Sequence, residues 1–111
     1  AVAVQGNVGT SEDHDRLYAE VNTAGRGLDI VVANAGSTRV ARLVEITDDD
    51  VDALLTTNVK GVVYTVQKAL PLLNSGASVI LTGSTTAERG RPGLGIYAAT
   101  KAAVRSLARA W

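Results

Sequence analysis

The stretch Ile30-Val31-Val32-Ala33-Asn34-Ala35-Gly36 decides how the chain folds. Its first four residues are continuously apolar and mostly β-branched, the pattern of a parallel strand with helices over both faces. Its last three are small or polar, so the strand ends in a turn that lets a flat ligand approach the backbone. Two further runs carry the same signature on either side. Residues 1–5, Ala-Val-Ala-Val-Gln, read as a buried strand closed by Gly6-Asn7-Val8-Gly9, and Val79-Ile80-Leu81 as another that ends at Gly83-Ser84.

Helical patterns fill the gaps. Thr10-Ser11-Glu12-Asp13 has the spacing of a capping box, followed by an apolar stripe of Leu17, Tyr18, Val21 and Ala24 that Gly25 and Gly27 stop. Thr47-Asp48-Asp49-Asp50 predicts a second box, its acids suiting the positive end of a helix dipole. Val59, Val62, Val63, Val66, Ala69, Leu70 and Leu73 continue at helical spacing to Asn74-Ser75-Gly76, with Pro71 near the end where its kink costs least. A loop containing Gly90, Pro92, Gly93 and Gly95 leads to an alanine-rich helix from about Tyr97 to Trp111. Strand and helix alternating three times predict an α/β fold, part of a Rossmann-like doubly wound parallel sheet in three α/β/α layers, with residues 1–111 as one domain. Ligands of such sheets bind beyond the carboxyl ends of the strands, where Asn7, Asn34 and Ser84 fall.

Composition narrows the partners. Eleven Lys and Arg balance eleven Asp and Glu, so no overall field draws the chain to nucleic acid or to an acidic surface. No residue is cysteine, which removes disulfides, thiolate chemistry and Cys-based metal sites, and no metal is expected. With no signal peptide and no membrane-length apolar run, the expectation is a soluble, cytoplasmic protein that takes small neutral molecules, not a membrane. The opening without Met and the close at Leu107-Ala108-Arg109-Ala110-Trp111, inside a helical pattern, both read as cut ends.

The chemistry concentrates near the last helix. Tyr97-Ala98-Ala99-Thr100-Lys101 sets a phenol and an ammonium four positions apart on one helical face. A free phenol has a pKa of about 10 and is a poor base at neutral pH, but a fixed cation nearby favours its phenolate. By itself such a pair is commonplace on a solvated helix. Ser84, thirteen residues earlier and just past a strand, could bond the same substrate oxygen, although a serine after glycine is usually a turn residue. Asn58 sits where two helical stretches join, where an amide satisfies backbone groups opened by a kink. His14, the only histidine, reads as a surface or packing residue, which weakens a serine-hydrolase reading.

Taken in order, these residues resemble the short-chain dehydrogenase/reductase family across essentially the whole chain. The family's strand-end Asn-Asn-Ala-Gly stands here as Ala33-Asn34-Ala35-Gly36, its helical asparagine as Asn58, its serine as Ser84, and its Tyr-x-x-x-Lys pair as Tyr97 and Lys101. The resemblance implies an NAD- or NADP-dependent oxidoreductase that transfers hydride between nicotinamide and an alcohol or ketone. It implies Tyr97 as general acid/base, Ser84 as the group that polarises the substrate oxygen, and Lys101 as the group that favours the tyrosinate and holds the nicotinamide ribose. Asn58 supports a water-linked proton path to Lys101. The implied cofactor contacts are Asn7, Val8, Asn34, Ala35, Gly36, Tyr97 and Lys101, and the convergence of Ser84, Tyr97 and Lys101 on one point is expected. A homo-oligomer of the full-length parent is implied as well.

Three departures qualify that reading. Asn7 stands where the family often has aspartate, Ala33 replaces the first asparagine, and the glycine-rich phosphate turn is absent. Gly90-Arg91-Pro92-Gly93-Leu94-Gly95 does not replace that turn, since its glycines are out of order. The segment alone is therefore expected to be inactive. The alternatives are an inactive remnant or interaction module using helices 59–73 and 97–111, and an extended-type epimerase or dehydratase sharing Tyr-x-x-x-Lys.

Overall fold

The strands β1 (Leu28–Ala33) and β2 (Leu73–Leu81) pair in parallel, with Val31 beside Val79, Val32 beside Ile80 and Ala33 beside Leu81. In the computed structural model, which describes residues 1–111, the helices are α1 (Ser11–Ala24), α2 (Asp48–Leu55), α3 (Gly61–Ala69) and α4 (Gly95–Ala110). Parallel strands need a long crossover, and α2 and α3 supply it. Alternate residues of a strand face opposite ways, so the two faces of this sheet have different fates. Val31 and Ala33 are buried, whereas Ile30, Val32 and Ile80 on the other face are 62%, 53% and 50% exposed.

Helices α1, α3 and α4 all pack on the buried face. Tyr18 of α1 and Ala69 of α3 meet Val31 in one cluster, with Leu17, Val21, Leu28, Leu72 and Leu73 around them. Val62 of α3 and Val104 of α4 meet Ala33 in a second cluster, with Leu81 against it. Full burial of a side chain the size of Val104 contributes about 1.5–3 kcal/mol, which is what pins α4 beside the strand ends. The expected α/β, Rossmann-like arrangement holds, and within residues 1–111 the helices α1, α3 and α4 supply the layer on the Val31–Ala33 face of the parallel sheet.

Residues 1–5 do not form the expected strand. A strand needs a neighbour to take its N–H and C=O groups. Residues 1–5 pair with neither strand of the two-stranded sheet, so that neighbour is missing. A cavity of about 330 Å³, lined by Val2, Val4, Leu17, Val21 and Leu28, lies between these residues and β1.

The crossover also differs from its sequence pattern. The helix does not run to Asn74-Ser75-Gly76: α3 ends at Ala69, Leu70–Leu72 tighten into a 3₁₀ turn with Pro71, and β2 begins at Leu73. From Leu28↔Leu73 to Ile30↔Ser78, β2 advances five residues while β1 advances two. Gly76, at φ 80°, absorbs this irregularity in the left-handed region open to glycine. Asn74, read as a helix-stop residue, donates from Nδ2 to Arg26 O at 3.0 Å and to Asp29 Oδ1 at 2.9 Å, tying β2 to the start of β1.

Of the two capping boxes, one forms. Thr47 Oγ1 accepts from Asp50 N at 3.2 Å, and Asp50 Oδ2 accepts from Thr47 N at 3.2 Å. Thr10 instead donates its hydroxyl to Asn7 O at 2.9 Å, and Asp13 Oδ2 accepts from Asn7 N at 2.6 Å. The tight loop before α1 draws both side chains back toward Asn7, so Thr10 does not cap that helix.

These differences are measurable. Thr47→Ala should lower the free energy of unfolding by about 1 kcal/mol, the usual cost of a lost cap. Thr10→Ala should cost clearly less in the same denaturant titration, and equal losses would show that both residues cap. Asp50 is held below the usual carboxylate range, first by the Thr47 N–H, then by the Thr47 hydroxyl and by Arg39. A depressed folded value means that Asp50 contributes stability above the ordinary aspartate pKa, about 3.9, and loses it as pH falls through the lower folded value. Thermal melting in acid should therefore be less pH-dependent in Asp50→Asn than in the parent; an unchanged dependence would remove Asp50 from the acid response.

Candidate active site

Both strands end at the same side of the molecule, and β1 and β2 each hand over to a polar turn there. After β1 comes Asn34, and after β2 come Thr82, Gly83 and Ser84. Thr82 N still donates to Ala33 O at 3.0 Å, so the two turns leave the sheet together. Thr82 Oγ1 donates to Asn34 Oδ1 at 3.0 Å and holds them side by side.

Helix α4 brings the ionisable groups to this edge. Lys101, 4% exposed, is buried on α4 near Val104, and its ammonium donates to Thr82 O at 2.8 Å. Its Nζ lies 5.9 Å from the centre of the Tyr97 ring, as the four-residue spacing predicts. An ammonium has three N–H donors, and Thr82 O takes one, leaving two for a ligand. Asn34, Gly36, Thr82, Tyr97 and Lys101 line one cleft of about 210 Å³. A Cβ at Gly36 would stand 3.6 Å from Lys101 Nζ and 3.5 Å from Asn58 Oδ1, filling space that a ligand could use.

Asn58 lies beneath the cleft. The expected kink is a π-helical turn, Thr56–Lys60, between α2 and α3. Asn58 has no exposed surface. Its Oδ1 accepts from Ser37 N at 2.8 Å, and its Nδ2 donates to Ser37 O at 2.9 Å and to Thr100 Oγ1 at 3.0 Å. The carboxamide thereby joins the turn after β1 to α4.

Not every expected residue gathers in the cleft. Ser84, just past Gly83, lines a neighbouring groove of about 220 Å³ that shares Gly83 and Lys101 with it. Ser84 Oγ accepts from Thr86 N at 3.2 Å and from the Thr86 hydroxyl at 2.8 Å. With both lone pairs occupied, the hydroxyl keeps its own proton for donation. Asn7 and Val8 lie outside the Tyr97 cleft: Asn7 Oδ1 accepts from Gly9 N at 2.8 Å, and Val8 packs against Gly61. His14 is a packing residue, its Nδ1 3.1 Å from Thr10 O and its Nε2 3.0 Å from Thr65 Oγ1, so it does not serve Ser84.

Thr82 and Thr100 were not legible as site residues. Thr82 carries a signal only in hindsight, as a polar residue at the end of an apolar strand. Thr100 lies inside the Tyr-x-x-x-Lys spacing and looks there like any polar helical residue. Ser37, expected at the start of a substrate-pocket stretch running to Val44, lines the cleft and is held there through its backbone by Asn58.

Comparison with known proteins gives one consistent answer. The family model of the short chain dehydrogenases matches residues 1–111. The oxidoreductase asL5 of Sarocladium schorii is 48% identical over 111 residues, covering 98% of this chain and 45% of that relative. The 3-oxoacyl-[acyl-carrier-protein] reductase FabG of Staphylococcus aureus is 35% identical over 109 residues, 96% of this chain and 44% of its own length. A short chain dehydrogenase from Burkholderia cenocepacia, solved in complex with NADP, superposes with a TM-score of 0.90 at 38% identity over 98% of this chain and 46% of that one. The chain thus spans somewhat less than half the length of these relatives.

The Asn58 cluster predicts a large stability effect. Asn58→Leu has a similar volume but strands the Ser37 N–H, the Ser37 carbonyl and part of the Thr100 hydroxyl. At about 1–3 kcal/mol for each buried unpaired group, the loss should exceed that of an ordinary core substitution. Urea unfolding of the two proteins measures it, and a change within about 0.5 kcal/mol, the range of a surface substitution, would contradict the assigned bonds.

Proposed function

The chain belongs to the short chain dehydrogenase family, and we propose that it carries the proton-transfer centre of an NAD- or NADP-dependent oxidoreductase acting on an alcohol or ketone. The observation that carries this reading is the single cleft in which Tyr97 and Lys101 meet the Asn34–Gly36 strand end. A nicotinamide cofactor bound there supplies or accepts the hydride. The cleft beside Gly36 and the two free donors of Lys101 fit a ribose, with Asn34 and Ala35 along the same edge and Tyr97 beside it. Asn7 and Val8, at the loop before α1, would meet a more distant part of the cofactor.

In the reductive direction, Tyr97 gives the proton of its Oη to the carbonyl oxygen as the carbonyl carbon becomes an alcohol carbon. In the oxidative direction, Tyr97 takes that proton back. Lys101 stands beside the ring, its Nζ 5.9 Å from the ring centre, and would hold the nicotinamide ribose next to the transferable proton. Ser84 donates its free hydroxyl proton to the substrate oxygen and so helps it carry negative charge. Asn58, beneath the cleft, would support a water-linked proton path to Lys101. A homo-oligomeric parent and a cytoplasmic location are part of the proposal; no helix is long and apolar enough to cross a membrane.

The test uses the protein expressed from its full coding sequence, assayed with NADH and NADPH on a panel of ketones. Tyr97→Phe should abolish turnover and leave cofactor affinity by calorimetry nearly unchanged, since only the transferable proton is removed. Lys101→Ala should impair both turnover and cofactor affinity. Turnover surviving in Tyr97→Phe would overturn the reading. Residues 1–111 alone should be inactive, because holding the reactants in place is worth about 7–11 kcal/mol of barrier and much of that grip comes from the rest of a cofactor-binding domain.

A further inference from the structure

Thr100 stands between the two residues that the proposed chemistry uses, and its side chain has no exposed surface. Its hydroxyl donates to Tyr97 O at 2.7 Å and accepts from Asn58 Nδ2 at 3.0 Å. One hydroxyl thus bonds the main chain of the residue that moves the proton and the carboxamide that fixes Ser37. Asn58 has two N–H donors, one given to Ser37 O and the other to Thr100, so Thr100 is its only bond to α4.

We propose that Thr100 is a positioning residue for the reaction, setting the distance between the first two turns of α4, which carry Tyr97 and Lys101, and the Asn34–Ser37 turn. The inference rests on the oxidoreductase reading. Its physical basis is that the other polar tie of α4 here, Lys101 Nζ to Thr82 O, runs to the turn after β2, so Thr100 through Asn58 is the hydrogen-bonded route to the Asn34–Ser37 turn, and hydrogen bonds fix length and direction where apolar contact does not. The helix has no side-chain cap at its start, where Leu94 precedes Gly95, so nothing polar at the N-terminus duplicates the Thr100 bond. Serine keeps both the donor and the acceptor. Valine keeps the shape and loses both, and leaves an Asn58 N–H buried without a partner.

The experiment compares Thr100→Val, Thr100→Ser and Tyr97→Phe in the protein from its full coding sequence. Thr100→Val should lower kcat by about 10–100-fold, as an active-site displacement of about 1 Å does, and should shift the pH–rate profile while the KM for cofactor changes little. Thr100→Ser should restore both. Amide exchange at Ser37, read by NMR, should speed up in Thr100→Val and not in Thr100→Ser, and this readout does not depend on turnover. Should the valine variant fail to fold, Thr100→Ala serves in its place with the same expectations. A Thr100→Val protein with a lower melting temperature but unchanged kcat, pH profile and Ser37 exchange would overturn the proposal and make Thr100 a stability residue only. Active Tyr97→Phe would overturn the oxidoreductase reading instead, and the Ser37 exchange would still decide whether Thr100 holds that turn.

Discussion

A carboxamide taken wholly out of water has to find a partner for each of its polar atoms, or the fold bears its full desolvation. Asn58 meets that demand with Ser37 on one side and Thr100 on the other. The constraint explains features that have no other evident cause. The π turn of Thr56–Lys60 inserts an extra residue between α2 and α3, and π bulges of this kind recur at functional sites. It also explains why the turn after β1 holds its course, since Ser37 is bonded through both its N–H and its carbonyl. The cleft above inherits its shape from these bonds.

The apolar core does a different job. It is split into two clusters along the helix-facing side of β1, one around Val31 and one around Ala33. The Val31 cluster fastens α1 to α3, assisted by the Lys68–Asp15 ion pair and by the Tyr18 hydroxyl donating to Thr65 O at 2.6 Å. The Ala33 cluster fastens α4 near the strand ends. Apolar burial brings α4 to the right place, and polar bonds then set its register there. The opposite face of the sheet, with Ile30, Val32 and Ile80, has neither kind of restraint from these residues.

What sequence shows depends on how local its cause is. The Tyr97–Lys101 pair was legible because helical spacing alone puts the two side chains on one face. The junction at Asn58 was legible as a kink between two helical patterns. Residues 1–5 were misread because a strand exists through its neighbours, which a run of Ala and Val does not specify. The end of α3 was misplaced because Leu73 fits both the helical stripe and the Val31 cluster that it joins. The first capping box failed for a similar reason, as the pull of Asn7 on Asp13 comes from a loop outside the four-residue pattern. At the site, sequence gave residue identities but not the direction of hydroxyls, so the engagement of Ser84 by Thr86 and the bond of Lys101 to Thr82 O came only with coordinates.

These distinctions separate two kinds of residue around the cleft. Lys101, Asn58 and Thr100 are buried and hydrogen-bonded, and each has its polar group held at a fixed place. Loop residues on the adjoining surface are different. Ala41 N donates to Gly93 O at 3.0 Å and joins the loop after β1 to the loop before α4, with Arg39 bridging to Asp50 at 3.3 Å. On that joined surface Val40, Leu43 and Val44 are exposed apolar side chains. Side chains in such loops change without disturbing the buried bonds beneath, because no bond of Asn58 or Thr100 runs through them. A fold that keeps its hydrogen-bonded polar groups in the core and its exposed apolar groups on adjoining loops can change that surface while the buried geometry of the cleft stays the same.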